Sequence, residues 1–345
     1  MGVDIETPRG SEGLQRQSRR SARGILRTAI AAWVGANVAV ALTAPDDLPF
    51  DWPARADSAP WELLLETNLA LIQVLLMIGV VYWLTRRRPD PRVLDRAPER
   101  TRALRETVGL LAYGALGLLG GFVLARAFGW HPFGLHLAGS LVGTHEHVAR
   151  AEVLAWAGYN LVVYAVVPLL YFRRRYSPTA LGLRSTAPRN DLLVIGVVLV
   201  LETWFQVVVG RPDLFELPAG QLLRGASLTF ALYFVGTVLP AMVFVYAILI
   251  PRFLRLTGSA TATVLYGGLT YAGLHLWDAW TSFDSPGSAA LSVVFVVFTY
   301  LGPGMVKSFL TLRTGNAWVH VWAYHAFSPH TLIDTPHIVE VFRVR

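Results

Sequence analysis

The 345-residue chain contains no cysteine. Disulfides, thiolate metal sites and cysteine nucleophiles are therefore excluded. Charge is scarce too: 15% of the residues are Asp, Glu, Lys or Arg, against about 25% in soluble proteins. The deficit collects in apolar runs of roughly 17–25 residues, long enough to cross a hydrocarbon layer about 30 Å thick. That rules out a soluble globular enzyme, a disordered chain and a disulfide scaffold. Period-two alternation is lacking, which argues against a transmembrane barrel. No phosphate-cradling glycine loop, G-x-S-x-G elbow or serine–lysine dyad stands out.

What is there is 54% hydrophobic residues and a mean hydropathy of +0.46. Nine candidate spans are read at about 28–44, 64–84, 107–125, 153–172, 192–209, 226–250, 259–276, 288–304 and 316–334. Backbone in lipid must satisfy its own hydrogen bonds, so these are helices. The expected fold is an all-α, polytopic helical membrane bundle of about nine transmembrane helices. Residues 1–24 read as a disordered basic cytoplasmic tail and not a cleaved signal, since no short apolar stretch with a small-residue cleavage site follows. Residues 25–84 read as two transmembrane helices, 85–106 as a charged cytoplasmic linker, and 107–336 as a seven-helix membrane domain.

The net charge of +7 and isoelectric point near 9.9 follow from topology. With the N-terminus inside, 23 of the 30 basic residues, Lys307 and Arg313 among them, fall in cytoplasmic segments. The first external loop carries Asp46, Asp47, Asp51 and Asp57. The positive-inside rule thus gives a multi-pass protein of the cell (inner) membrane, N-terminus cytoplasmic and C-terminus external. The expected partner is the lipid bilayer, with room for a membrane peptide or protein and none for nucleic acid. Trp33, Trp61, Trp83, Trp156, Trp277, Trp280 and Trp318 fall mostly near span ends, as an interfacial belt does.

Ionisable groups inside spans are costly and mark function by default. Four stand out: Glu202 in LVLETWFQ, His275 in YGGLTYAGLHLWD, and His320 and His325 in NAWVHVWAYHAF. His275 is either a metal ligand or acid–base group, or an interfacial histidine bonded to Asp278 on the same helical face. Glu202 is either a neutral acid bonded within the bundle or a carboxylate partner of His275 or His325. On an α-helix His320 and His325 lie about 140° apart, so the two are not expected to share one ligand. His145, Glu146 and His147 suit surface metal binding only in an extended segment. They do not form H-E-x-x-H, because the fifth position is Ala149. Gly302-Pro303-Gly304 is expected to break its span and Pro240 to kink its own. Gly117 and Gly121 form a G-x-x-x-G pair, read as helix packing.

Three stretches then resemble one family. PLLYFRRRYSPTALGLR (168–184), VFVYAILIPRFLRLTGSATATVLYGGLTYAGLHL (243–276) and FTYLGPGMVKSFLTLRTGNAWVHVWAYHAF (298–327) follow in the order and spacing of the CPBP family. These are the CAAX and bacteriocin-processing (Abi) intramembrane metallo-endopeptidases. The likeness covers about 165–330. Of the family's motifs E-E-x-x-x-R, F-x-x-x-H and H-x-x-x-N/D, the second survives as Tyr271 and His275. The third keeps His325 but has Pro329 in its last position. The first is lost, its glutamates falling on Ala241 and Met242 and its arginine on Tyr246.

The resemblance implies a metal, zinc or another divalent ion, held by His275 and His325 if the chemistry is retained. It leaves three readings open. The chain is a catalytically degenerate member acting as a binding or regulatory membrane protein. It is an active metallo-endopeptidase with a rearranged site of Glu202, His275 and His325. Or it is a transporter, a reading disfavoured by the absence of an internal repeat.

Overall fold

A computed structural model describes residues 9–44, 48, 59–137, 148–210, 213–278 and 280–345, and among them there are helices and no strands. The chain is a polytopic helical bundle. In order, the helices are α1 (Arg9–Thr43), α2 (Pro60–Thr85), α3 (Arg100–Ala127) and α4 (Arg150–Arg173). They continue as α5 (Pro188–Val208), α6 (Ala219–Thr257), α7 (Ala260–Gly273), α8 (Pro286–Thr314), α9 (Ala317–His320) and α10 (Ile333–Phe342).

Seven of these helices are long and apolar enough to cross a membrane: Ala22–Thr43 within α1, then α2 to α6, and α8. The other two expected spans take different forms. Residues 259–276 supply only α7, whose 14 residues rise about 21 Å. Residues 316–334 form the single turn of α9 and then two π-helical turns, Val321–His325 and Phe327–Leu332. α1 begins at Arg9 and so extends into the tail read as disordered. Its basic residues are good helix formers, and helix propagates cheaply from the apolar stretch. Asp46, Asp47, Asp51, Asp57, His145, Glu146 and His147 lie outside the described residues.

α6 is the central element, 39 residues long and mostly buried in the bundle. Pro240, where a kink is expected, lies between π turns on either side, Phe234–Val238 and Met242–Leu249, one way a helix absorbs a lost backbone donor. α7 and α8 form the tightest helix pair, with α2 against the outer side of α8. Their ends follow from local chemistry. Gly258 and Gly315 adopt positive φ at two helix C-termini. Ser259, Ser285 and Asn316 accept N-terminal backbone N–H groups of α7, α8 and α9.

The Gly302-Pro303-Gly304 stretch does not break its span. α8 runs unbroken through Pro303. Gly304 meets Gly268 of α7 backbone to backbone, and Gly302 faces Val74 of α2. Close packing on both sides holds the helix despite the missing donor. The α3 glycines serve as packing surfaces: a Cβ on Gly117 would come within 2.9 Å of Val163 and Tyr164 of α4.

Candidate functional site

The end of α7, the middle of α8, the π turns and the loop after α3 converge on one buried cluster of histidine and tyrosine side chains. α7 stops at Gly273, so His275 and Asp278 sit in the following turn. The same-face pairing expected of them on a helix therefore does not arise. The Asp278 carboxylate accepts from Tyr300 Oη and, at 3.2 Å, from Trp280 Nε1. His275 is fully buried, away from any water interface. It stacks on the Tyr300 ring at 3.8 Å between centroids and donates from Nδ1 to the Tyr271 carbonyl at 2.8 Å.

The π turns correct a second expectation. π-Helix bonds residue i to i+5, so side chains five apart stack one above another. Ala326 N donates to Val321 O in this register. His320, His325 and His330 therefore share a face. Their ring centroids are 5.9 Å apart for the first pair and 5.1 Å for the second. His136, from the loop after α3, continues the row 4.9 Å from His330 and 5.0 Å from His275. Five imidazoles thus run from His320, four residues past the Asn316 cap, to His275 beyond the far end of α7. Tyr271 packs against both His275 and His325, and its hydroxyl lies 3.1 Å from His325 Nε2.

Hydrogen bonding fixes which nitrogens carry protons. His275 gives Nδ1–H to a carbonyl. His330 gives Nδ1–H to Asp334 Oδ2 at 3.3 Å. Tyr300 directs its O–H to Asp278, so its oxygen is left to accept from His136 Nδ1 at 3.0 Å. A neutral imidazole has one N–H and one lone pair. Nε2 of His136, His275 and His330 therefore presents a lone pair, and among the described residues all three lack a hydrogen-bond partner. Buried polar atoms left in that state are rare, and function is one recurrent reason for them.

Glu202 does not join the histidines. It is wholly buried on α5 and accepts from Gln206 Nε2 at 3.1 Å and Gln73 Nε2 at 3.3 Å. His275 and His325 both reach the cluster, one on each side of contacts to Tyr271. His136 meets His275 and His330 edge to face, at 86° and 85°. Among the described residues no three His, Asp or Glu side chains are placed to hold an ion.

Lys307 was counted with the cytoplasmic charges, but α8 carries it into the bundle. It is almost fully buried, and its Nζ lies 3.7 Å from the Tyr271 ring centroid and 5.5 Å from that of Tyr324. Among the described residues it makes no ion pair. Burying an ammonium is costly, and cation–π contact returns about 2 kcal/mol. Lys307→Met keeps the volume and removes the charge. It is expected to raise Tm by a few degrees, readable in a thermal melt in detergent. A fall of more than about 2 °C would show the ammonium to be a net stabiliser.

His136, His330, Tyr300 and Asp334 were not singled out from the sequence. The one available signal was the spacing H-x-x-x-x-H-x-x-x-x-H from His320 to His330, which has meaning only in a π register. In comparisons with known proteins, no family model, no curated protein and no solved structure matches the chain.

Proposed function

We propose that this multi-pass membrane protein has a CPBP-like arrangement, has given up metal-dependent hydrolysis, and acts as a binding or regulatory protein around its histidine–tyrosine cluster. One observation carries the reading. Ala241 and Met242, where the resemblance puts the two glutamates, are buried in the core of α6, and neither can activate water or ligate a hard cation. Tyr246, at the arginine position, packs its ring 4.1 Å from that of His320. Glu202, the carboxylate of the rearranged-site reading, is engaged by Gln73 and Gln206.

The cluster offers buried hydrogen-bond acceptors in the Nε2 atoms of His136, His275 and His330. A guest that brings N–H or O–H donors suits these atoms, as the backbone of an unwound membrane peptide would. The test uses purified protein in nanodiscs, wild type and His275→Ala, incubated with membrane peptides with and without a chelator. Equal zinc content in both proteins and no chelator-sensitive cleavage are expected. Zinc-dependent cleavage that disappears in His275→Ala would overturn the reading.

The transport reading also has one observation on its side, the row of five neighbouring imidazoles within the bundle. It requires proton or cation flux in proteoliposomes that His325→Leu abolishes. Equal flux in wild type, variant and empty vesicles would remove it.

A further inference from the structure

We propose that the groove between α3 and α4 binds one anionic glycerophospholipid from the leaflet at the basic end of the bundle, with the phosphate on Arg105 and Arg175 and an acyl chain along the groove floor. The groove has a volume of about 610 Å³. Its mouth is formed by Arg102, Arg105 and Arg175, and its floor by Gly109, Leu110, Tyr113 and Val167. From Arg102 to Tyr113 the α3 backbone descends about 16 Å, half of a hydrocarbon core about 30 Å thick. The lining is thus basic at the headgroup level and apolar below it, which is the shape and polarity of a lipid.

The charge balance at the mouth points the same way. Glu106, the one acid in the groove, is already compensated. It bonds Arg102 Nε at 2.9 Å, Arg252 Nε at 2.8 Å and Tyr176 Oη at 2.8 Å. Arg105 is exposed and, among the described residues, has neither a side-chain hydrogen bond nor an ion pair. Among the described residues the Arg175 guanidinium bonds Tyr171 alone, lying 5.3 Å over that ring with Nη1 3.4 Å from the hydroxyl. Two guanidiniums are therefore free to take a phosphate, which arginine does in a bidentate fork. A larger groove of about 730 Å³ between α1, α7 and α8 has no charged residue in its lining, so it selects no headgroup.

Gly109 supplies an independent handle. A Cβ there meets nothing within 4 Å, so a leucine at this position occupies groove space without disturbing the helix. Each arginine near a lipid surface favours anionic over neutral lipid by about fivefold.

Native mass spectrometry of the full-length protein in mild detergent, with phosphatidylglycerol or phosphatidylcholine of the same acyl chains added, reads the preference. Wild type is expected to retain phosphatidylglycerol about thirtyfold better, at one lipid per chain. The double variant Arg105→Ser/Arg175→Ser should retain both lipids equally. Gly109→Leu should lose most bound lipid while melting at the wild-type temperature. Inorganic phosphate in excess should not displace the lipid. The proposal fails if wild type holds the two lipids equally, if the double variant keeps the full preference, if Gly109→Leu binds as wild type does, or if phosphate alone displaces the lipid.

Discussion

Gly304→Ala is expected to lower the Tm by about 5–10 °C, although it adds a single methyl group. In the interior of a helix the same change ordinarily stabilises by about 0.5–1 kcal/mol. Here the new Cβ would sit 2.7 Å from the Gly268 Cα, 2.8 Å from the Tyr271 Cβ and 3.0 Å from the Gly268 carbonyl oxygen. Two of these are backbone atoms of α7 and cannot rotate away, so α7 and α8 must separate. Gly268 is just as confined: a Cβ there would lie 2.8 Å from the Leu301 carbonyl oxygen. Overpacking of this kind costs about 3 kcal/mol, and each kcal/mol moves Tm by about 2–4 °C in a chain of a few hundred residues. The crossing also fixes the cluster, because α7 carries Tyr271 and α8 carries Tyr300 and Lys307. Gly196→Ala on α5 is the control, since its Cβ meets nothing within 4 Å. It should melt at or slightly above wild type. A Gly304→Ala protein melting within about 1 °C of wild type would show that the two backbones do not touch.

Much of this architecture is legible in the residues, and the exceptions have physical causes. Long apolar runs announce the seven spanning helices because length and hydropathy are local properties. α7 and the π turns escape such a reading. Residues 259–276 are as apolar as a span, yet His275 and Asp278 satisfy the chain beyond Gly273 through side-chain and turn contacts and not by continued helix. The π register of His320, His325 and His330 rests on where the backbone places its i to i+5 bonds, and residue type fixes that only weakly. His275 and His325 could be picked out as intramembrane ionisable groups. Their neighbours could not, because His136 and Tyr300 arrive from elements about 140 and 25 residues away along the chain from His275. The lone intramembrane carboxylate of Glu202 invites pairing with the histidines, and two glutamine side chains, one from α2, satisfy it instead.

Asp191→Ala is expected to cost about 3–5 kcal/mol, the loss found when one partner of a buried ion pair is removed. Arg88 belongs to the linker that positive-inside counting treats as a topology signal, yet it is built into the fold. Its Nη1 binds Asp191 Oδ1 and, at 2.9 Å, Asn190 Oδ1. Its Nη2 donates to the Thr314 carbonyl at 2.7 Å. Asp191 Oδ2 accepts from Ser185 Oγ at 2.6 Å and Asn316 Nδ2 at 3.0 Å. Both side chains are about 95% buried or more. The carboxylate also lies in the first turn of α5, where the helix dipole favours negative charge. One pair thus ties the end of α2, the start of α5 and the α8–α9 junction together. Truncating Asp191 leaves the guanidinium, an amide and a hydroxyl without their acceptor in a buried site. A fall in Tm of roughly 6–15 °C should follow. If the loss is the stranded charge and not the shape of the residue, Arg88→Met combined with Asp191→Leu should recover much of it, because apolar groups of similar size need no partner. A double variant as unstable as Asp191→Ala would show instead that Ser185, Asn316 and the Thr314 carbonyl depend on the pair for their own satisfaction. A neutral Asp191→Ala would show that the junction is held by packing alone.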